Sequence, residues 1–252
     1  MSEILEPALL EMLARIEPIL ISLNIDFYMV GAIARDIQLG DHLNTRKTKD
    51  VDIAIQVGDE SQFLALKNAL VRSGDFEAHP SEAIKLFYKS TLEIDLLPFG
   101  DIENDQREIS LSDPALFVIS MPGFREAYPF VTEVNLQSGQ KLKVCSLEAL
   151  VMLKLIAYGD KPSRTKDVAD IDHIINNYFD LFQNNVYEDH FDTMDMYDTN
   201  SLDYLALVGA TVIGRKIKLI ANGDDELLVR ITSTLKKKPT ATWVALTAGI
   251  ID

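Results

Sequence analysis

The chain has 252 residues, 47% of them hydrophobic, which suits one large domain or, as expected here, two modest ones, each with a real core. Its formal net charge of −15 argues against a broad sequence-independent nucleic-acid footprint, because that affinity comes from Lys and Arg neutralising phosphates; a local patch holding one RNA end is still compatible. A single cysteine, Cys145, excludes an intrachain disulfide and fits a reducing cytoplasm.

The first residues, Met-Ser-Glu-Ile-Leu-Glu-Pro, lack the basic-then-apolar pattern of a signal peptide, and no apolar stretch approaches the ~20 residues a membrane span requires. A cytoplasmic protein with no membrane partner is therefore expected. Histidines at 42, 79, 173 and 190 show no paired helical spacing, which argues against zinc.

In chain order, Leu9, Leu10, Leu13, Ile16, Ile19 and Leu20 fall close to helical spacing and predict a scaffold helix over residues 5–24. An apolar strand, Phe27 to Val30, then runs into Gly31, and a short helix from Ala32 to Leu39 is closed by Gly40. Gly31 has no Cβ to obstruct a ligand, and the free N–H groups at the start of the helix favour a phosphate. Arg35 on this helix and Arg46 in the basic loop that follows read equally as surface partners for the many acids or as phosphate contacts.

A second strand begins Asp50-Val51-Asp52-Ile53-Ala54-Ile55. Residues two apart on a strand share a face, so Asp50 and Asp52 point the same way, with Cα atoms roughly 6–7 Å apart, while Val51, Ile53 and Ile55 point into the core. An Asp-x-Asp is common on solvated strands and carries little alone. Beside a phosphate-binding turn it becomes a seat for divalent cations, since Mg²⁺ commonly takes one or two carboxylates plus substrate phosphates.

Residues 59–73 predict a helix ended by Gly74, with Phe63, Leu66 and Leu70 towards the sheet. Alternation predicts a hairpin of Ile84–Tyr88 and Leu92–Leu97 around Lys89-Ser90-Thr91, with Glu93 and Asp95 on one face. It is expected to bring Asp95 beside Asp50 and Asp52 as a third carboxylate. Residues 101–122 predict no definite element. Residues 131–136 and 141–145 predict a further hairpin around Gln137-Ser138-Gly139-Gln140.

Composition then shifts from strands to helices, which places a domain boundary near 145, giving units 1–145 and 146–252. Ser146 is a candidate cap for a helix whose stripe is Leu147, Leu150, Val151, Lys154, Leu155 and Tyr158. Lys154 interrupts that stripe, and one reading is that it snorkels its ammonium to water. A second helix starts near Thr165, and Lys166 and Asp170 on it have the spacing of an i, i+4 ion pair. Residues 183–200 read as a mobile acidic connection, and two helices, about 201–221 and 224–237, lead to Pro239. Residues 240–252 are mildly apolar and predict neither packing nor freedom.

Gly-x-Gly-x-x-Gly, Walker and Gly-x-Ser-x-Gly patterns do not occur, which removes the usual dinucleotide, P-loop and hydrolase readings. The strand, Gly31-Ala32, Asp50-x-Asp52 and Asp95 together resemble the nucleotidyltransferase superfamily with the polymerase-β-like fold. More narrowly the chain is similar to AbiEii-type nucleotidyltransferases, which include toxins of toxin-antitoxin pairs. That likeness rests on Arg46-x-Thr48-x-Asp50-x-Asp52, Asp95-Leu-Leu-Pro98-Phe-Gly100, Gly123-Phe-Arg-Glu126-Ala127, Lys154, Lys166-Asp167-x-x-Asp170 and Ile213-Gly214-Arg215.

The resemblance implies an α/β (α+β) catalytic domain with a mixed sheet flanked by helices, and a C-terminal helical domain closing a nucleotide cleft. It implies two Mg²⁺ ions (or Mn²⁺) on Asp50, Asp52 and Asp95, and an NTP bound by Gly31, Ala32, Arg35, Arg46, Lys154, Lys166, Asp167 and Asp170. The implied acceptor is a tRNA 3′ end or another RNA, with a protein or a small molecule as alternatives, and an antitoxin as a partner. A non-catalytic binding module of the same fold is the rival from another class. Relatives usually carry Gly-Gly or Gly-Ser where this chain has Gly31-Ala32, so a hydroxyl able to bind phosphate is replaced by a methyl group.

Overall fold

The computed structural model describes residues 7–40, 50–136, 139 and 141–252. The chain divides into two compact units, Met1–Cys145 and Ser146–Asp252.

In the first unit, helix α1 (Pro7–Ser22) buries Leu9, Leu13, Ile16 and Leu20 of the expected stripe together with Met12, while Leu10 and Ile19 are half-buried. Strand β1 (Phe27–Val30) leads directly into α2 (Gly31–Leu39), and β2 (Asp50–Gln56) pairs antiparallel with β1. Asp59 caps α3 (Glu60–Arg72) by accepting from the Gln62 N–H at 2.8 Å, and Phe63, Leu66 and Leu70 are fully buried. Strands β3 (Phe76–Ala78), β4 (Lys85–Tyr88) and β5 (Leu92–Phe99) follow. Lys89 and Ser90 turn the β4–β5 hairpin with φ of 48° and 54°, the positive angles that tight hairpin turns require.

Residues 101–122, left without an element by the sequence, contain the antiparallel pair β6 (Glu108–Leu111) and β7 (Phe117–Ser120). Arg107 organises the approach to this pair: its guanidinium donates to Glu103 at 2.9 Å and also pairs with Glu126 of α4 (Phe124–Ala127). Strands β8 (Thr132–Asn135) and β9 (Lys141–Val144) form the expected hairpin, and β9 joins β1 in parallel. Among the described residues these strands give one seven-stranded sheet of order β3-β4-β5-β2-β1-β9-β8 and a separate two-stranded sheet. The large sheet is mixed, since β2–β5 and β1–β9 are parallel and its other pairs antiparallel. The expected α/β class is thus observed.

The second unit is helical. Ser146 caps α5 (Leu147–Asp160), accepting from the Ala149 N–H at 3.3 Å. This helix is buried on most sides rather than along one stripe, and it packs on α6 (Thr165–Asp189), α7 (Tyr204–Ala221) and α8 (Asp225–Lys236). Buried Glu148 is satisfied by the Tyr178 hydroxyl at 2.5 Å and Lys216 at 3.1 Å, which offsets the cost of removing a carboxylate from water.

Two expectations change here. Residues 183–200 are not a mobile connection: α6 continues to Asp189 across a break at Phe182, and a 3₁₀ segment spans Phe191–Met196. Residues 240–252, for which the sequence predicts neither packing nor freedom, form α9 (Ala241–Ile251), capped by Thr240 and laid against α7. No helix among the described residues is long and apolar enough to cross a membrane.

Candidate functional site

The site is built where β1, β2 and β5 lie side by side. Val30 ends β1 in an extended conformation, and Gly31 then turns the chain with φ +72°, so that α2 starts at once with no side chain capping its N-terminus. Register places Asp52 opposite Val30, at the level of this turn. A Cβ built on Gly31 would stand 2.0 Å from Asp52 Oδ2, so the carboxylate of Asp52 occupies the space that glycine leaves open. The glycine that opens α2 and a carboxylate therefore meet at one point, with half-buried Ala32 next in the first turn.

Parallel pairing of β2 with β5 sets Asp50 opposite Glu93 and Asp52 opposite Asp95. Strand alternation puts all four carboxylates on one sheet face, because Val51, Ile53, Ile94 and Leu96 are buried on the other. Asp50 is exposed and Asp52 half-buried. The hairpin expected from the sequence does bring Asp95 beside the earlier pair.

The side chains nevertheless differ from a simple triad. Antiparallel register sets Lys85 of β4 opposite Asp95, and its ammonium donates to Glu93 Oε2 at 2.9 Å while standing 3.5 Å from Asp95 Oδ1. Asp95 Oδ1 is buried, and among the described residues it has no partner closer than Lys85. Burial raises the Asp95 carboxyl above the usual aspartate range; Lys85 opposes that shift and Asp50 adds to it. The hydrogen bond to Glu93 raises the Lys85 ammonium, and the same bond lowers the Glu93 carboxyl. Among the described residues no three acidic, histidine or cysteine side chains converge closely enough to enclose a metal by themselves.

The donor set still fits a divalent cation. Asp50 and Asp52 offer hard oxygens on one face, Gly31 leaves room for the Asp52 carboxylate at the turn, and Asp95 stands opposite Asp52 with 27% of its side chain exposed. Mg²⁺ seldom relies on an all-protein cage, so phosphate oxygens and water would complete its shell.

The remaining expected nucleotide ligands are placed as follows. Arg35 is buried, and its Nε and Nη2 donate to Asp36 Oδ1 at 2.8 and 2.6 Å. Arg46 lies outside the described residues. In the second unit, Lys154 does not simply snorkel to water: its ammonium donates to Asp167 at 3.1 Å and Asp170 at 2.7 Å. Arg164 also holds Asp167, at 2.5 Å. Lys166 is exposed on the first turn of α6, and Asp170, its expected i, i+4 partner, is the residue that Lys154 holds.

Sequence reasoning missed Lys85. The signal was available: a turn centred on Ser90 sets residues whose numbers sum to 180 opposite each other, and 85 pairs with 95.

No curated protein sequence matches the chain. Solved structures similar to it include an antigenic nucleotidyltransferase-like protein from Paracoccidioides brasiliensis, at 19% identity, covering 93% of this chain and 89% of that one with a TM-score of 0.46. The antibiotic-resistance factor ANT(2'')-Ia is similar at 14% identity, over 88% of this chain and 100% of that one, TM-score 0.43. The lincosamide antibiotic adenylyltransferase LnuA is similar at 20% identity, over 66% of this chain and 94% of that one, TM-score 0.39. The profile of the nucleotidyl transferase AbiEii toxin of type IV TA systems matches residues 20–228, a span that contains the Gly31 turn, Asp50, Asp52, Asp95 and the Lys154–Asp170 cluster, and the chain belongs to that AbiEii nucleotidyltransferase family.

Proposed function

We propose that this protein is a Mg²⁺-dependent nucleotidyltransferase that moves an NMP from an NTP to an acceptor hydroxyl, with a tRNA 3′ end as the first candidate acceptor and a cytoplasmic toxin of a toxin-antitoxin pair as its role. The observation that carries this reading is Asp52 seated against the Gly31 turn with Asp95 directly opposite it in the sheet.

The acceptor oxygen forms a bond to the α-phosphorus, the bond from that phosphorus to the β-phosphate bridging oxygen breaks, and pyrophosphate leaves. Asp50, Asp52 and Asp95 would hold the Mg²⁺, or Mn²⁺, whose chemistry is to neutralise phosphoryl charge and acidify the acceptor hydroxyl. The N–H groups of Gly31 and Ala32 bind phosphate oxygens at the uncapped start of α2. Asp95, opposite Asp52 in the sheet, would take the proton of the attacking hydroxyl. Arg35, Arg46, Lys154, Lys166, Asp167 and Asp170 are assigned to nucleotide binding on the family resemblance; Arg35 and Lys154 would do so while already held by aspartates.

A second acceptor class, a protein side chain or a small hydroxylated molecule, is favoured by the net charge of −15. Incubation with α-labelled NTPs and tRNA, protein extract or small acceptors separates these. Label on tRNA supports the first reading and label on protein or small compounds the second. Binding of NTP without label on any acceptor supports the non-catalytic module. A folded Asp52→Ala variant is expected to lose transfer by at least about 1,000-fold, and wild-type-like turnover from it would refute the carboxylate assignment. For the toxin role, wild-type expression is expected to arrest growth and Asp52→Ala expression is not.

A further inference from the structure

Lys85 and its partner Glu93 are features of the site that the proposed chemistry does not use. It lies on β4, is largely buried (16% side-chain exposure), and faces an array of Asp50, Asp52, Glu93 and Asp95 on the neighbouring strands. Four carboxylates on one sheet face repel each other, and a cationic side chain in register with the innermost of them relieves that repulsion without solvent or metal.

The two contacts Lys85 makes are unequal. It donates a hydrogen bond to Glu93 at 2.9 Å but stands farther, 3.5 Å, from Asp95 Oδ1, a buried oxygen with no closer partner among the described residues. Glu93 therefore anchors the ammonium, and Asp95 is neutralised without being saturated. An incoming cation meets the part of the Asp95 side chain that stays exposed, 27% of it, and has to overcome the nearby Lys85 charge there.

We propose that Lys85 is a positioning residue, a resident counter-charge held on Glu93 that competes with divalent cations for Asp95 and so keeps the site from loading metal until a nucleotide triphosphate brings added negative charge. This rests on the carboxylate reading of the site given above. Its consequence is that metal and nucleotide bind together: the free protein holds a divalent ion weakly, and triphosphate oxygens supply the missing ligands and charge.

The test is Mn²⁺ binding to the full chain by electron paramagnetic resonance, with and without a non-hydrolysable NTP analogue. Lys85→Met keeps much of the buried stem while removing the charge, and is expected to bind Mn²⁺ at least about tenfold more tightly than wild type in the absence of nucleotide. Lys85→Arg, which restores the charge, is expected to return towards the wild-type affinity. If Lys85→Met fails to fold, Lys85→Gln carries the same expectation. Unchanged or weaker Mn²⁺ binding in the charge-removing variants would overturn the proposal and leave Lys85 a structural strut. An Asp52→Ala control separates this failure from failure of the underlying reading: if Mn²⁺ binding, with or without the analogue, does not depend on Asp52, the carboxylate site itself is wrong and this inference falls with it.

Discussion

Gly31 carries the tightest constraint at the level of a single residue. Its φ of +72° disfavours any other residue, and an added methyl would displace Asp52 Oδ2 from 2.0 Å away. Gly31→Ala is expected to cost only about 1–3 kcal/mol of stability, read by urea denaturation, yet to lower nucleotidyl transfer by at least about 100-fold because Asp52 is pushed off its position. Lys154 behaves oppositely. Its charge compensates Asp167 and Asp170, which are mostly buried, at 6% and 18% side-chain exposure. Lys154→Met is expected to destabilise the protein by about 2–4 kcal/mol, read by the denaturation midpoint, since Arg164 alone is left to serve Asp167.

Among the elements, α9 shows how packing overrides a weak local signal. Its residues are almost uniformly apolar, with no polar face to announce a helix, and it is fixed by close approach to α7. A Cβ on Gly249 would lie 2.0 Å from the Thr211 carbonyl oxygen, and one on Gly214 would lie 2.2 Å from that of Leu246. Gly249→Val is expected to force the two helices apart, destabilising the protein by about 1–3 kcal/mol and speeding amide exchange in residues 241–251. The β4–β5 hairpin is the contrasting case. Its turn chemistry and strict alternation made the strands and the facing of Asp95 legible in advance, and the same register, read one strand further, contained Lys85. Strands β6 and β7 were illegible because they are short and their approach is organised by Arg107, which pairs with nearby Glu103 and with Glu126 beyond both strands.

For the molecule as a whole, charge is the property with consequences. A net charge of −15 means that any RNA acceptor is held at a few points rather than along its length. If tRNA is the substrate, the slope of log K against log salt is expected to be shallow, about −2, and a slope several times steeper would contradict a local contact. The sequence by itself determined the α/β class, the shift to helices after Cys145 and the carboxylate pair beside a glycine turn, because each follows from local periodicity and the stereochemistry of glycine. Only tertiary structure decided that Asp52 fills the space over Gly31, that Lys85 stands between Glu93 and Asp95, and that Lys154 and Arg35 are engaged by aspartates. Those are approaches between different strands, between a strand and a helix start, between different helices or between buried neighbours on one helix, and their geometry is set by packing and desolvation.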